Sequence, residues 1–246
     1  MSEIFPAFSG ASTLAILGFG FLLGLKHATD ADHLAAVSTI VSQRKSLWSS
    51  AIIGGVWGLG HTISLFLAGV FVLLLDFKIS EQTERILEFG VGVMLFLLGL
   101  NVLRKLAQGG HLHFHAHEHG ERVHVHPHIH ERAPDEEPHT HHGFSFSPRA
   151  LIIGMIHGLA GSAALMLLII PTIESQAVGL LYIVVFGIGS IGGMMLMSFL
   201  VGLPFTLTAS RFNRFNHILQ SIAGLVSVAL GLFILYEKGI TEGLFS

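Results

Sequence analysis

Cysteine is absent from the 246 residues, and only 12% of them are charged. The first absence excludes disulfides, thiolate catalysis and cysteine-ligated zinc, and it leaves the redox compartment open. The second is about half of what a soluble domain carries, roughly a quarter. With 51% hydrophobic residues and a mean hydropathy of +0.69, the chain is composed for a lipid bilayer. Its formal net charge of −3 is confined to a few short polar segments, so it offers no footing for a nucleic-acid partner. No G-x4-G-K-S/T occurs, which excludes ATP binding through a P-loop, and no H-E-x-x-H occurs. The opening MSEIF lacks the basic region of a signal peptide, so the first apolar segment is expected to stay in the mature chain.

A bilayer-crossing helix needs about 20 apolar residues. Six windows meet that need, near 11–31, 49–75, 85–106, 149–171, 176–203 and 216–238. The expected fold is therefore all-α, a polytopic membrane protein of six transmembrane helices. Residues 107–148 break the pattern and divide the chain into a first three-helix unit (1–106), a His-rich loop (107–148) and a second three-helix unit (149–246). Orientation follows from Lys and Arg. With both termini outside, the inner face collects Lys26, Arg44, Lys45, Arg104, Lys105, Arg122, Arg132, Arg149, Arg211 and Arg214, against Lys78, Arg85 and Lys238 outside. That asymmetry places the His-rich loop in the cytoplasm of a cell-membrane protein.

The two units also align with each other. RILEFGVGVMLFLLGL (85–100) matches HILQSIAGLVSVALGL (217–232), GLGHTIS (58–64) falls opposite GIGSIGG (187–193), and LKHATDADHL (25–34) falls opposite MIHGLAGSAA (155–164). His27 thereby pairs with His157 and His61 with Ser190. Because each unit has three helices, an odd number, the second copy is expected to be inverted, an arrangement that builds midplane sites in secondary transporters.

The polar exception in this apolar chain is GLKHATDADHL, 24–34. Lys26, Asp30 and Asp32 together oppose insertion by about 8 kcal/mol on translocon scales, and ionisable groups at such depth mark ion pathways. On an unbroken helix His27, Asp30 and His33 share a face, and Asp32 joins them only if the helix unwinds. Imidazoles with a carboxylate suit a divalent transition metal; a solvated cytoplasmic turn is the competing reading. His61, mid-helix in GGVWGLGHTISLFL with Gly54 and Gly58 allowing close approach, can reach His27 or His33 if the first two helices are neighbours. His157, in HGLAGSAA without a carboxylate nearby, reads equally as a supporting residue or as a hydrogen-bonded core histidine.

The loop carries its own signal. His111, His113, His115, His117, His119, His124, His126, His128, His130, His139, His141 and His142 fall within 32 residues, with Glu118, Glu121, Glu131, Asp135, Glu136 and Glu137 among them. Such a tract cannot bury a core. It is expected to be disordered without metal and to buffer or deliver metal ions, with electrostatic pH sensing as an alternative.

His27-Ala28-Thr29-Asp30-Ala31-Asp32-His33 resembles the H-x4-D-H signature of the nickel/cobalt transporter family, and Gly60-His61-Thr62 resembles that family's second motif. The acidic motifs of the larger members are absent from the second half, which reads HGLAGSAAL at 157–165 and GMMLMS ending at Ser198. In this the chain is more similar to the six-helix urease-accessory membrane proteins of the same superfamily. The resemblance implies Ni²⁺ or Co²⁺ as transported substrate, with no cofactor, and His27, Asp32, His33 and His61 as metal determinants. Supporting roles are expected for Asp30, Lys26, Thr62, His157, Ser162, Ser190 and Ser198. The implied partners are the ion, the bilayer and a cytoplasmic metallochaperone or a urease or hydrogenase maturation protein. Uptake is the expected direction, since a dication entering at −100 mV gains about 4.6 kcal/mol. Efflux is the alternative, and an intramembrane metallohydrolase is the alternative of another class.

Overall fold

A computed structural model describes residues 12–44, 46–75, 80–108, 113–119, 122–128, 147–160, 175–209 and 212–244. The elements in chain order are α1 (Thr13–His27), α2 (Ala31–Val41), α3 (Leu47–Leu75), α4 (Glu81–Ala107), β1 (His113–His119), β2 (Arg122–His128), α5 (Pro148–Gly158), α6 (Gln176–Ala209) and α7 (Asn213–Tyr236). A π-helical turn, Glu237–Thr241, continues α7. Side-chain caps start three of the helices: Ser12 accepts from the Ala15 N–H, Ser80 from Thr83 and Ser147 from Ala150, the last with Pro148 in the first turn. These oxygens satisfy amides that have no carbonyl within their own helix.

Among the described residues four helices are long and apolar enough to cross a membrane, and a fifth span results if α1 and α2 count as one. One of the six expected windows comes out differently. Window 11–31 was read as a single helix, but α1 stops at His27 and α2 leaves at a bend of 55°. Window 149–171 is described as helix only to Gly158, and residues 161–174 lie outside the described residues.

The break has a local cause and a local remedy. Asp30 takes an extended backbone, φ −64° and ψ 149°, and serves as the N-cap residue of α2. The helical ladder lapses there, and hydrocarbon offers no water to replace it, so lapses survive only where the protein supplies partners. Thr29 does so: its hydroxyl donates to the Lys26 carbonyl at 2.6 Å and its N–H donates to the same oxygen at 2.8 Å. The Asp30 N–H donates to the His27 carbonyl at 3.1 Å. Apolar sequence ends at this point, yet α2 continues as a buried helix with Ala35, Ala36, Val37 and Val41 in the core. Window scoring on apolarity stops at Asp30 and Asp32 and so misses it.

Helices pack through glycine. α3 lies along α6, α4 along α7, α1 along α6 and α5 along α3. At Gly24 the Phe186 carbonyl occupies the space a Cβ would need, and at Gly154 the Trp57 carbonyl does the same. Gly189 meets the Phe21 carbonyl and Gly60 the Leu151 carbonyl; across α4 and α7, Gly92 meets Gly231 and Gly99 meets Gly224. In lipid, where apolar side chains gain little from leaving one apolar medium for another, such backbone approach supplies the packing energy. Ser227 adds a buried hydrogen bond from α7 to the Leu95 carbonyl of α4, at 2.8 Å.

Within 107–148, read from composition as lacking regular structure, the backbones of β1 and β2 pair as an antiparallel hairpin. The register sets His113 opposite His128, His115 opposite His126 and His117 opposite His124. The His-x-His alternation of this segment also has the period of a strand. His111, His130, His139, His141 and His142 lie outside the described residues.

Candidate metal site at the helix break

Four imidazoles from four helices meet where α1 stops. His27 is the last residue of α1, His33 sits in the first turn of α2, His61 lies mid-way along α3 and His157 in the last turn of α5. Their exposures are 4%, 1%, 0% and 1%, so all four have left solvent. Ring centroids lie 4.2 Å apart for His33 and His157, 4.3 Å for His27 and His33, and 5.2 Å from His61 to each of His27 and His33. Gly60 and Gly158 hold α3 and α5 close enough for this, since the His61 carbonyl lies where a Cβ at position 158 would go.

Two carboxylates organise the rings. Asp32 bridges two of them, with Oδ1 2.9 Å from His33 Nδ1 and Oδ2 2.9 Å from His157 Nε2. Its Oδ1 also accepts the His33 backbone N–H at 2.9 Å, which fixes the carboxylate against its own helix start. Asp30 reaches one ring only, His27 Nδ1 at 2.8 Å. A carboxylate on one imidazole nitrogen sets the tautomer and leaves the other nitrogen's lone pair free to bind.

Two groups of ligand atoms are compact enough to hold an ion: His27, His33 and His61 form one, and Asp32, His33 and His157 form the other, each with its atoms within 4.8 Å. His33 belongs to both. His27 Nε2 and His61 Nε2 are 3.2 Å apart. Two nitrogens at about 2.05 Å from one ion span that distance when the angle between the bonds is about 100°, close to both tetrahedral and octahedral values. The buried nitrogens His33 Nε2, His61 Nδ1 and His157 Nδ1 have no hydrogen-bond partner among the described residues, an expensive state for polar atoms in a packed interior. An imidazole and carboxylate set of this kind suits Ni²⁺, Co²⁺, Zn²⁺ or Cu²⁺.

The structure thus brings His27, His33 and His61 together in one triad, and Asp32 with His33 and His157 in a second that shares His33. His157 is hydrogen-bonded to a carboxylate from the other half of the chain, a contact that fits both sequence readings. On the question left open by the 24–34 stretch, the helix is interrupted after His27, and Asp32 comes round to the histidines while Asp30 keeps one. Other expected residues stand apart. Lys26 is exposed. Thr62 donates to the Gly187 carbonyl of α6 at 3.3 Å and fills the space above that glycine, which is helix packing. Ser190 and Ser198 are fully buried in α6, with hydroxyls lacking a partner among the described residues, and Ser198 packs on Gly54. Ser162 lies outside the described residues.

Two aromatic residues went unnoticed in the sequence. Trp57 packs its ring 5.3 Å from His33 and 5.5 Å from His157, and Phe186 lies 5.7 Å from His27. Trp57 precedes His61 by four residues on α3 and so shares its face, a spacing that could have flagged it. These rings wall the histidines off from the rest of the bundle.

No family model matches the chain, and no solved structure does. Among curated proteins it is 42% identical over 235 residues to the urease accessory protein UreH of Bacillus sp. (strain TB-90), covering 94% of this chain and 95% of that one. It is 35% identical over 77 residues to the high-affinity nickel transport protein of Cupriavidus necator, 31% of this chain and 21% of that one. To the chloroplast protein FOR GROWTH AND FERTILITY 2 of Arabidopsis thaliana it is 26% identical over 223 residues, 89% of this chain and 55% of that one. An identity of 42% along nearly the whole of both chains places this protein in the family of the urease accessory protein UreH.

Proposed function

We propose that the protein is a secondary transporter that takes up a divalent transition metal, nickel foremost and cobalt next, through the His and Asp site at the helix break. The observation that carries this reading is the convergence of four buried imidazoles, two of them bridged by Asp32, in a chain of membrane-spanning helices. His27, His33 and His61 with Asp32 are the ligands, and His157 and Asp30 orient them. The relative named for nickel transport and the relative named as a urease accessory protein both fit a nickel cargo. None of the relatives is named as an enzyme, and the metallohydrolase reading has no support beyond the presence of His and Asp.

Six spans arranged as two inverted repeats complete the reading, and the doubled packing supports it. Under the alignment of the two halves, Gly24 against Phe186 becomes Gly154 against Trp57, and Gly189 against Phe21 becomes Gly60 against Leu151. Ser64 donates to the Met155 carbonyl at 2.7 Å, and its counterpart Gly193 packs on the Leu25 carbonyl, the counterpart of Met155. With both termini outside, the membrane potential drives uptake without a nucleotide. The His-rich segment then lies in the cytoplasm, where it buffers arriving metal and passes it to a metallochaperone or a urease or hydrogenase maturation protein; the hairpin register, histidine opposite histidine, supports that role.

Purified protein in liposomes should carry nickel inward under an inside-negative potential, with cobalt competing better than zinc. Absence of flux from well-folded protein would overturn the proposal.

A further inference from the structure

The four imidazoles are sealed, yet Asp32 is not. Its side chain keeps 32% of its exposure, and it faces a cavity of about 240 Å³ lined also by Glu88, Val91, Leu230, Ile234 and Lys238. Six waters at about 30 Å³ each occupy about 180 Å³, so the cavity has room for a dication with its inner hydration shell. Its walls come from α2, from α4, from α7 with the π-helical turn after it, and from Ala160 just beyond α5, and it runs from Asp32 to a charged group near the start of α4 and the end of α7. There Lys238 Nζ lies 2.8 Å from Glu88 Oε2 and 2.6 Å from Glu242 Oε1, and Arg85 donates to the Glu242 carbonyl at 2.8 Å. Around the cavity and its mouth four carboxylates, Asp32, Glu88, Glu242 and Glu81, the last 3.3 Å from Arg85, stand against two cations, Lys238 and Arg85. An apolar cavity wall with acid at both ends concentrates divalent cations, because low-dielectric walls focus the field. The helix that bears Lys238 changes to a π-helical turn at this point, Glu237–Thr241, a rare local geometry frequent at functional sites.

We infer that this cavity is the water-filled access path for the metal ion and that the Glu88–Lys238 pair is a charge gate at its mouth. The inference rests on the transport reading and specifies its path. In the closed arrangement the Lys238 ammonium occupies the place of the cation and neutralises Glu88. An arriving hydrated dication displaces it: Lys238 retains Glu242, Glu88 turns to the ion, and the ion passes along the cavity to Asp32 and from there to the imidazoles. Glu88 is thus a transient outer ligand, and Lys238 keeps the path from standing as a permanent anionic trap.

The chain has no cysteine, so single cysteines report on the cavity without background. Val91→Cys and Ile234→Cys should react with a charged, membrane-impermeant thiol reagent applied outside. Leu232→Cys should not: it is 50% exposed on α7 and lies at the depth of Val91, since the neighbouring Gly231 meets Gly92, but it faces away from the cavity. Equal reactivity at the three positions would refute a water-filled path. Nickel uptake gives the second readout. Glu88→Gln should raise the half-saturating nickel concentration about tenfold, the lower end of what a charged cleft adds to capture, with the maximal rate and the number of ions bound at saturation unchanged. Lys238→Met should lower the half-saturating concentration, because Glu88 is then free. If both substitutions impair uptake alike, the pair is a structural tie and the gate is wrong. Absence of nickel flux in the wild type would instead refute the transport reading, while cysteine labelling would still decide whether the cavity holds water.

Discussion

Replacing Asp32 by Asn preserves the shape of the side chain and removes one charge, and the geometry sets how much that should cost. Asp32 accepts from His33 on one oxygen and from His157 on the other, both at 2.9 Å. An Asn can accept on one side only, and its amide must donate on the other, so one ring has to flip its tautomer or lose its partner. On the proposed assignment the substitution removes a ligand from one triad and the orienting group of His33, a member of both triads. Loss of one such partner weakens metal affinity 10- to 100-fold. With both effects in one residue the upper figure applies, about 100-fold, equivalent to about 2.8 kcal/mol. Asp30→Asn touches only His27, from a side chain that is one third exposed, and should cost about tenfold. Equilibrium nickel binding to purified protein lacking 111–142 isolates the intramembrane site from the histidine tract, and radiometal uptake by cells measures its use. Wild-type affinity and uptake in Asp32→Asn, or a larger loss in Asp30→Asn, would refute the assignment of Asp32 as the bridging carboxylate.

Deleting 111–142 should leave the uptake rate largely intact and lower the number of nickel ions bound per chain, because none of the four buried imidazoles lies in that segment; complete loss of flux in folded protein would make the segment part of the pathway. Gly24→Ala and Gly154→Ala should each cost several kcal/mol of stability in detergent, read as a fall in melting temperature, since a carbonyl of the facing helix occupies the Cβ position in both. Gly18→Ala, with nothing within 4 Å of the added atom, should be neutral or stabilising.

How far the site could be read from sequence depends on whether its ligands are neighbours along the chain. His27, Asp32 and His33 stand within seven residues, and charges at that density in apolar sequence carry their own signal, as does His61 between packing glycines. His157 carries no such signal. Its carboxylate partner is 125 positions away, and no local pattern in HGLAGSAA reports that contact. The same limit explains the Glu88–Lys238 pair, which local spacing could not join.

Composition by itself determined the medium, the helical class and the exclusion of thiol and P-loop chemistry, because those depend on residue content alone. Periodicity and motif determined where the polar stretch interrupts the apolar sequence. Only the tertiary structure decided that the helix stops at His27 and not later, because the cost of an open ladder depends on whether Thr29 finds the Lys26 carbonyl and whether neighbours shield the break. It also decided between Asp30 and Asp32. Both lie within the same helical turn of sequence, and the 55° bend, a property of how α1 and α2 pack against α6 and α7, turns Asp32 toward two histidines and leaves Asp30 with one.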